Sequence, residues 1–320
     1  MPRRKIKVKA VKANCGDRQQ ARQIYGRLNS NKVSRGVQKR YDFAVWYFGW
    51  FCFTLYGGMY DTTEGIERQL LQFIEAGWEH GEPQNLMYDC LSGLQSIYNV
   101  RKCFPNAWKL MTVWTRLEPA KRAPPMPMSV LLVLAGLAGA IGLPDLALTL
   151  LLGFFGLLRT TEALSIRACH VTFSNDGQKA VISLPLTKSG QRRGWTENVI
   201  FEDVGILLLL REICNCRAPH ERLLHLSPFR FRKIWKWMLD YLQVSNLALT
   251  PYSLRRGGAT QMWIDTSDLT KVMMVGRWEH MKTCRIYVVD GQEQLTSVLL
   301  TDPARQRCEY YKDLLKESFR

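Results

Sequence analysis

Residues 250–260 read TPYSLRRGGAT, and they place two arginines immediately after a helix start signal. Pro251 and Ser253 favour the first positions of a helix, so Arg255 and Arg256 are expected in its first turn. Positive charges there oppose the helix dipole, which makes stability a poor reason for their presence. Free backbone N–H groups and guanidinium groups together suit a phosphate. The stretch therefore predicts an anion site at a helix N-terminus.

A third arginine lies at the end of an apolar run. Residues 156–164 read GLLRTTEAL, and Arg159 follows a segment of almost wholly apolar residues. A charge at the edge of a core needs a partner, and Glu162 at position i+3 is within reach. We expect an ion pair between them, although Arg159 alone is also explained as a residue that solubilises a helix end.

A tyrosine ends the segment 276–287, which reads GRWEHMKTCRIY. Taken alone, Tyr287 would be a core or interface residue more often than a nucleophile, because tyrosine packs well at the ends of apolar helices. The segment gains chemical meaning only together with the arginines.

Residues 180–186 (AVISLPL) and 195–201 (WTENVIF) alternate as strands do, and a turn-like basic segment, TKSGQRRG, lies between them. The pattern predicts a β-hairpin with a charged tip that carries Lys188, Arg192 and Arg193.

The first half of the chain reads as a small helical domain over residues 41–117. Residues 41–56 (YDFAVWYFGWFCFTLY) are too short to span a bilayer and predict a buried helix. Three further segments have apolar residues at helical spacing: 62–75, 86–98 and 107–117. Residues 118–128 (EPAKRAPPMPM) contain four prolines and predict a linker.

Residues 129–320 form the second predicted domain. Its apolar stretches 129–143 and 146–158 are each shorter than the roughly 20 residues of a membrane span, so we interpret them as core helices and expect no membrane association. A later helix, 228–243, has an apolar stripe on one face and Arg230, Lys233 and Lys236 on another. That basic face meets either DNA or water. The whole is mainly α-helical with a small β-hairpin or sheet.

The net charge of +16 favours a polyanionic partner. Residues 1–40, the basic tail, hold thirteen Lys or Arg against one acid, Asp17. They suit a nuclear import signal, a phosphate-binding arm or a solvated terminus. Nine cysteines without a signal peptide indicate reduced thiols in the cytosol or nucleus. The one cysteine–histidine cluster lacks a standard zinc spacing, so no metal is predicted.

The order of these motifs resembles the tyrosine recombinase (phage integrase-like) superfamily over about residues 118–295. The shared pattern is R-x-x-E, a hairpin lysine, L-R followed by A-T, and a tryptophan nine residues before a tyrosine. The segments YSLRRGGAT and GRW are most similar to the corresponding segments in recombinases of eukaryotic mobile elements, the DIRS-like retroelements and Cryptons.

The resemblance implies a role for each matching residue. Arg159 and Arg255 would be the two arginines that clamp the scissile phosphate, and Glu162 would support Arg159. Lys188 would be the hairpin lysine that protonates the leaving oxygen. Trp278 takes the position of the histidine or tryptophan before the nucleophile, which would be Tyr287. The first domain would be the core-binding domain, and four protomers would act together on double-stranded DNA in the nucleus, without a cofactor.

One catalytic position departs from the family pattern, because Tyr252 stands where a histidine is usual, three residues before Arg255. A phenol can donate a hydrogen bond to a phosphate oxygen but is a poor base at neutral pH. Three other interpretations stay open: an inactive DNA-binding descendant of a recombinase, a type IB topoisomerase, and a membrane protein built on residues 129–158.

Overall fold

A computed structural model describes residues 33–98, 103–184, 196–288 and 302–318, with the isolated positions 19 and 23. The chain divides into two compact units, Met1–Lys121 and Arg122–Arg320. The division falls within residues 118–128, where the sequence predicted a linker.

Four helices make up the described part of the first unit: α1 (Arg35–Tyr56), α2 (Thr63–Glu79), α3 (Gln84–Tyr98) and α4 (Pro105–Leu117). The hydroxyl groups of Ser34 and Thr62 cap the first two helices by accepting backbone N–H groups. Helix α1 packs against α3, and α2 packs against α4. The helices enclose one apolar core, which includes Phe48, Leu70 and Leu91.

The prediction of a buried helix over residues 41–56 was wrong for one face of α1. The buried face of α1 is centred on Phe48. Four large aromatic side chains elsewhere on the helix are between 57% and 69% exposed: Phe43, Trp46, Trp50 and Phe53. A helix packed on one side cannot bury residues around its full circumference. Helix α1 also begins at Arg35, so the last residues of the predicted basic tail are helical.

The second unit is built around two apolar helices, α5 (Met128–Ala140) and α6 (Pro144–Phe155). They are buried on nearly all sides, in agreement with their interpretation as core helices. A short helix, α7 (Thr160–Ala163), follows them. In the described part of the chain, no helix has the length and apolar character needed to cross a membrane.

The sheet has three antiparallel strands in the order β1 (Val171–Phe173), β2 (Ala180–Leu184) and β3 (Glu197–Phe201). Strand β1 was missed in the sequence because three residues carry too little alternation to detect. Strands β2 and β3 form the predicted hairpin, whose last described pair joins Leu184 to Glu197. Lys188, Arg192 and Arg193 lie outside the described residues.

Five more helices follow in the second unit: α8 (Val204–Asn215), α9 (Pro228–Tyr241), α10 (Ser253–Thr266), α11 (Leu269–Gly276) and α12 (Met281–Arg285). The predicted linker ends earlier than expected, because Met126 is buried in this unit and its N–H donates to the carbonyl of Ser253 at 3.0 Å. A final helix, α13 (Asp302–Ser318), packs along α5 of the same unit.

Contact between α13 and α5 depends on Gly136, where an added Cβ would overlap the backbone carbonyl of Tyr311. We expect Gly136→Ala to lower the free energy of unfolding by about 1–3 kcal/mol, because backbone atoms cannot move aside cheaply. Gly139 on the same helix has open space around it, so Gly139→Ala should leave stability unchanged or raise it by up to about 1 kcal/mol. Thermal unfolding of both variants checks this, and equal stabilities would contradict the described packing of α13.

Candidate active site

Arg255 lies in the first turn of α10, as predicted, but its side chain is only 1% exposed. Its Nη1 donates to the carbonyl of Leu157 and its Nη2 to the carbonyl of Gly276, each at 2.5 Å. The Cζ atom lies 4.7 Å from the ring centroid of Trp278 and 5.6 Å from that of Tyr287. The guanidinium group therefore sits on two aromatic rings and holds two carbonyl oxygens.

The site around Arg255 differs from the open phosphate site that the sequence predicted, because both terminal nitrogens of Arg255 already have protein partners. Burial lowers the pKa of Arg255 to about 10, and the charges of Arg159 and Arg277 act in the same direction. The group stays protonated at neutral pH. Arg255 supplies a fixed positive charge beneath the surface, and a bidentate phosphate contact would require it to release a carbonyl.

Glu162 is the carboxylate that holds these arginines. Its Oε1 accepts from Nη1 of Arg159 at 2.5 Å, which is the predicted i,i+3 ion pair, and its Oε2 accepts from the Arg159 backbone N–H at 2.9 Å. Oε2 also lies 4.0 Å from Nη1 of Arg255. The Arg159 side chain is 29% exposed whereas that of Glu162 is 6% exposed, so the carboxylate supports Arg159 from below.

Arg277 is a site residue that sequence reasoning missed. Its Nη2 contacts Oε2 of Glu162 at 2.8 Å and donates to the Leu157 carbonyl at 3.2 Å, and its Nε lies 3.3 Å from Oε2 of Glu197. The only signal in the sequence was its position between Gly276 and the assigned tryptophan.

Two non-glycine residues beside the arginines have left-handed backbone conformations, Leu157 with φ 46° and Arg277 with φ 58°. Such conformations cost about 1–3 kcal/mol each and persist only where the surroundings impose them. Both residues end a helical segment and turn the chain sharply. The Leu157 carbonyl can therefore accept from Arg255 and Arg277 together.

Tyr287 lies in the turn after α12 and is half-buried. Its ring centroid is 4.4 Å from that of Trp278, and its hydroxyl forms a hydrogen bond with the hydroxyl of Tyr252. Burial and this hydrogen bond raise the pKa of Tyr252 to about 12, against the effect of Arg255 and Arg159. Tyr252 is therefore a neutral phenol next to the tyrosine that the sequence singled out.

The described part of the site carries a positive net charge, because Arg159, Arg255 and Arg277 face only Glu162 and Glu197. A cluster with one excess positive charge beside a half-buried tyrosine suits an anionic substrate. Among the described residues, no group of His, Cys, Asp and Glu side chains could hold a metal ion.

No family model and no curated protein matches the chain. The solved XerH site-specific recombinase bound to its difH substrate matches with TM-score 0.49 and 16% identity, over 75% of this chain and 72% of that chain. The Tn1549 transposon integrase in complex with transposon right end DNA matches with TM-score 0.56 and 10% identity, over 91% of this chain and 97% of that chain. The same integrase with circular intermediate DNA gives TM-score 0.53 at 12% identity, over 92% and 98%. This chain has the tyrosine recombinase fold.

Within the tyrosine recombinase fold, Arg256 lies in the first turn of α10 as predicted, but the surroundings of its side chain differ from the prediction. We predicted a DNA contact, but its side chain is 5% exposed and hydrogen-bonds the carbonyls of Ala123 and Ile286. Burial lowers the pKa of Arg256. The residue ties the start of the unit to the backbone next to Tyr287, so we correct its role to a structural one.

The basic residues predicted on one helix of the fold are exposed on α9: Arg230, Lys233 and Lys236. Lys233 lies over the ring of the exposed Phe229, with Nζ 4.8 Å from the centroid. Basic and aromatic side chains side by side on one helix suit contact with a nucleic acid backbone and its bases. Whether this face meets DNA stays a prediction.

Proposed function

We propose that the protein is a site-specific DNA recombinase that cuts and rejoins double-stranded DNA through a 3′-phosphotyrosyl intermediate. The observation that carries this proposal is the half-buried Tyr287, whose ring lies against the guanidinium group of Arg255. The fold and the basic α9 face support it, because the integrase structures of the same fold are complexes with DNA.

In the proposed reaction the Tyr287 hydroxyl attacks the phosphorus atom, so that a tyrosyl oxygen–phosphorus bond forms and the bond to the 5′-oxygen breaks. The phenol gives up a proton, and the leaving 5′-oxygen gains one. Rejoining is the reverse reaction, since the phosphotyrosyl bond keeps the energy of the broken diester. The reaction therefore needs neither a nucleotide nor a metal as energy source.

Charge stabilisation would provide most of the acceleration, because a phenol is a weak nucleophile and the pentavalent transition state carries more negative charge than the diester. Arg159 is the more exposed arginine and would contact the phosphate first. Arg255 lies under the tyrosine ring and would stabilise the charge as it develops. The indole N–H of Trp278 would donate to a non-bridging oxygen, and Lys188 would protonate the 5′-oxygen.

Tyr252 is expected to donate a hydrogen bond to the phosphate once substrate replaces its contact with Tyr287. Tyr252→Phe should then slow cleavage by roughly 2–4 kcal/mol of transition-state energy, the usual effect of removing one oxyanion donor. Tyr252→His should preserve or increase the rate. Single-turnover cleavage of a duplex measures both variants, and a Phe variant as fast as the wild type would remove Tyr252 from the reaction.

The experiment that tests the proposal traps the protein on a nicked suicide duplex, from which the cut end diffuses away and prevents rejoining. We expect a DNA adduct that survives denaturation and that maps to the peptide containing Tyr287. Full duplex binding without any adduct would instead favour a DNA-binding descendant that has lost activity, an alternative suggested by Tyr252 and by the carbonyl partners of Arg255. Relaxation of supercoiled DNA without strand exchange would identify a topoisomerase-like enzyme.

We also propose that the protein belongs to a mobile element, acts in the nucleus and assembles on DNA as a tetramer. The wording of the motifs favours a mobile element of a eukaryote, and the basic residues 1–40 favour action in the nucleus. Exchange between two duplexes requires four strand cuts, so a tetramer on DNA would be the active assembly. Crosslinking on a paired-site substrate tests the last point, because a tetramer should form only with two duplexes.

A further inference from the structure

Arg277 has acidic partners on two different elements of the second unit. One is Glu162 on α7, at 2.8 Å, and the other is Glu197, the first residue of β3, at 3.3 Å. The Arg277 side chain is 8% exposed, so these contacts are shielded from water and salt. One guanidinium group thus contacts both helix α7 and the edge strand β3.

Arg277 also supports both groups that hold the clamp arginines. Glu162 fixes Arg159 by two hydrogen bonds, and the Leu157 carbonyl fixes Nη1 of Arg255. Arg277 donates to both of these acceptors, at 2.8 Å and 3.2 Å. Without it, the carboxylate would lose a buried cation at 2.8 Å and the carbonyl would lose its second donor.

The left-handed backbone of Arg277 points to the same role. Helix α11 ends at Gly276, whose carbonyl accepts from Arg255, and the ring of Trp278, two residues later, stacks on that arginine. An arginine at the intervening position can reach back towards Glu162 only because the chain turns there. The Gly276 carbonyl and the Trp278 ring therefore contact Arg255, and the Arg277 side chain between them contacts Glu162.

We propose that Arg277 is a positioning residue, which aims Arg159 and Arg255 at the scissile phosphate by fixing Glu162 and the Leu157 carbonyl, and which anchors strand β3 through Glu197. This inference rests on the proposed recombinase function. We expect no contact of Arg277 with DNA, since its side chain is buried and its Nη2 donates to Glu162 and Leu157.

A methylphosphonate at the scissile position separates positioning from mere structural support. A methyl group there replaces one non-bridging oxygen, so the linkage is neutral and its cleavage depends less on the exact position of the arginines. A variant in which Arg159 and Arg255 are misplaced should lose much of its cleavage rate on the phosphate duplex and much less on the methylphosphonate duplex. A variant that only lowers the amount of folded protein should be impaired equally on both.

We expect Arg277→Lys to reduce single-turnover cleavage of the phosphate duplex about 10²-fold, as for a misplacement of about 1 Å, with unchanged duplex affinity. On the methylphosphonate duplex the loss should fall below about tenfold. Arg217→Lys is the matched control, because Arg217 is a part-buried arginine of the same unit that contacts Asp145 at 3.5 Å, away from the site. It should cleave both duplexes like the wild type.

Glu197→Gln provides a second variant if Arg277→Lys does not fold, because it keeps the side-chain shape and removes one charge. Its loss of cleavage should be smaller than that of Arg277→Lys, and it should again be larger on the phosphate duplex than on the methylphosphonate duplex. Equal losses on the two duplexes, or wild-type cleavage by both variants, would overturn the positioning role while leaving the recombinase proposal intact. A wild-type protein that forms no adduct on any duplex would overturn both.

Discussion

Tyr287→Phe is expected to abolish the covalent protein–DNA adduct on a nicked suicide duplex. The substitution removes only the hydroxyl oxygen that would attack phosphorus. Nucleophilic catalysis cannot proceed without that oxygen, so the loss should exceed about 10³-fold and reach the detection limit. Denaturing electrophoresis with labelled DNA measures it directly.

Two controls make this result specific. Tyr310→Phe removes the hydroxyl of an exposed tyrosine on α13 and should leave adduct formation unchanged. Duplex affinity of Tyr287→Phe should equal that of the wild type, because the ring still packs on Trp278. If Tyr287→Phe still formed an adduct while Tyr252→Phe did not, the nucleophile would be Tyr252, and the assignment drawn from motif spacing would fail.

Arg255→Lys is also expected to impair cleavage strongly. Lysine keeps the charge but cannot hold two carbonyls and face a phosphate with a planar fork, so cleavage should fall about 10²-fold or more. Duplex affinity should change little, since Arg255 is buried in the free protein and contributes little to first contact. Single-turnover cleavage and equilibrium binding, measured on the same preparation, separate the two quantities.

The Arg255→Lys test also needs a measurement of folding. Arg255 bridges Leu157 and Gly276, so part of the effect could come from loss of stability. Thermal unfolding of the variant shows whether the site is still folded at the assay temperature. A parallel loss of binding and cleavage in a folded variant would make Arg255 an ordinary phosphate contact instead of a group that acts in the transition state.

Much of the fold could be predicted from the sequence, because its helices carry local signals. The apolar runs of α5 and α6, the helix start at Ser227 and the strands β2 and β3 are each defined by neighbouring residues. The exposed aromatic face of α1 could not be predicted in this way. Which side of a helix is buried depends on the elements that pack against it. A run with aromatic residues on every side does not indicate which side that is.

The site was predictable only in part, for a related reason. The pairing of Arg159 with Glu162 is local and followed from their spacing. The burial of Arg255 is decided by carbonyl groups 98 and 21 residues away in the chain, and Arg277 reaches Glu162 across 115 residues. Sequence motifs name residue types at such positions but do not say which of them lie underneath the others.

The carboxylate of Glu162, which three guanidinium groups share, also affects how this site can change by mutation. Residues that share a partner do not contribute independently, so the effects of substitutions at Arg159, Arg255 and Arg277 should not add. Loss of one arginine alters the charge balance felt by the other two, and a second loss then costs less than it would alone. Epistasis of this kind favours retention or decay of the cluster as a whole, and it disfavours stepwise exchange of its members.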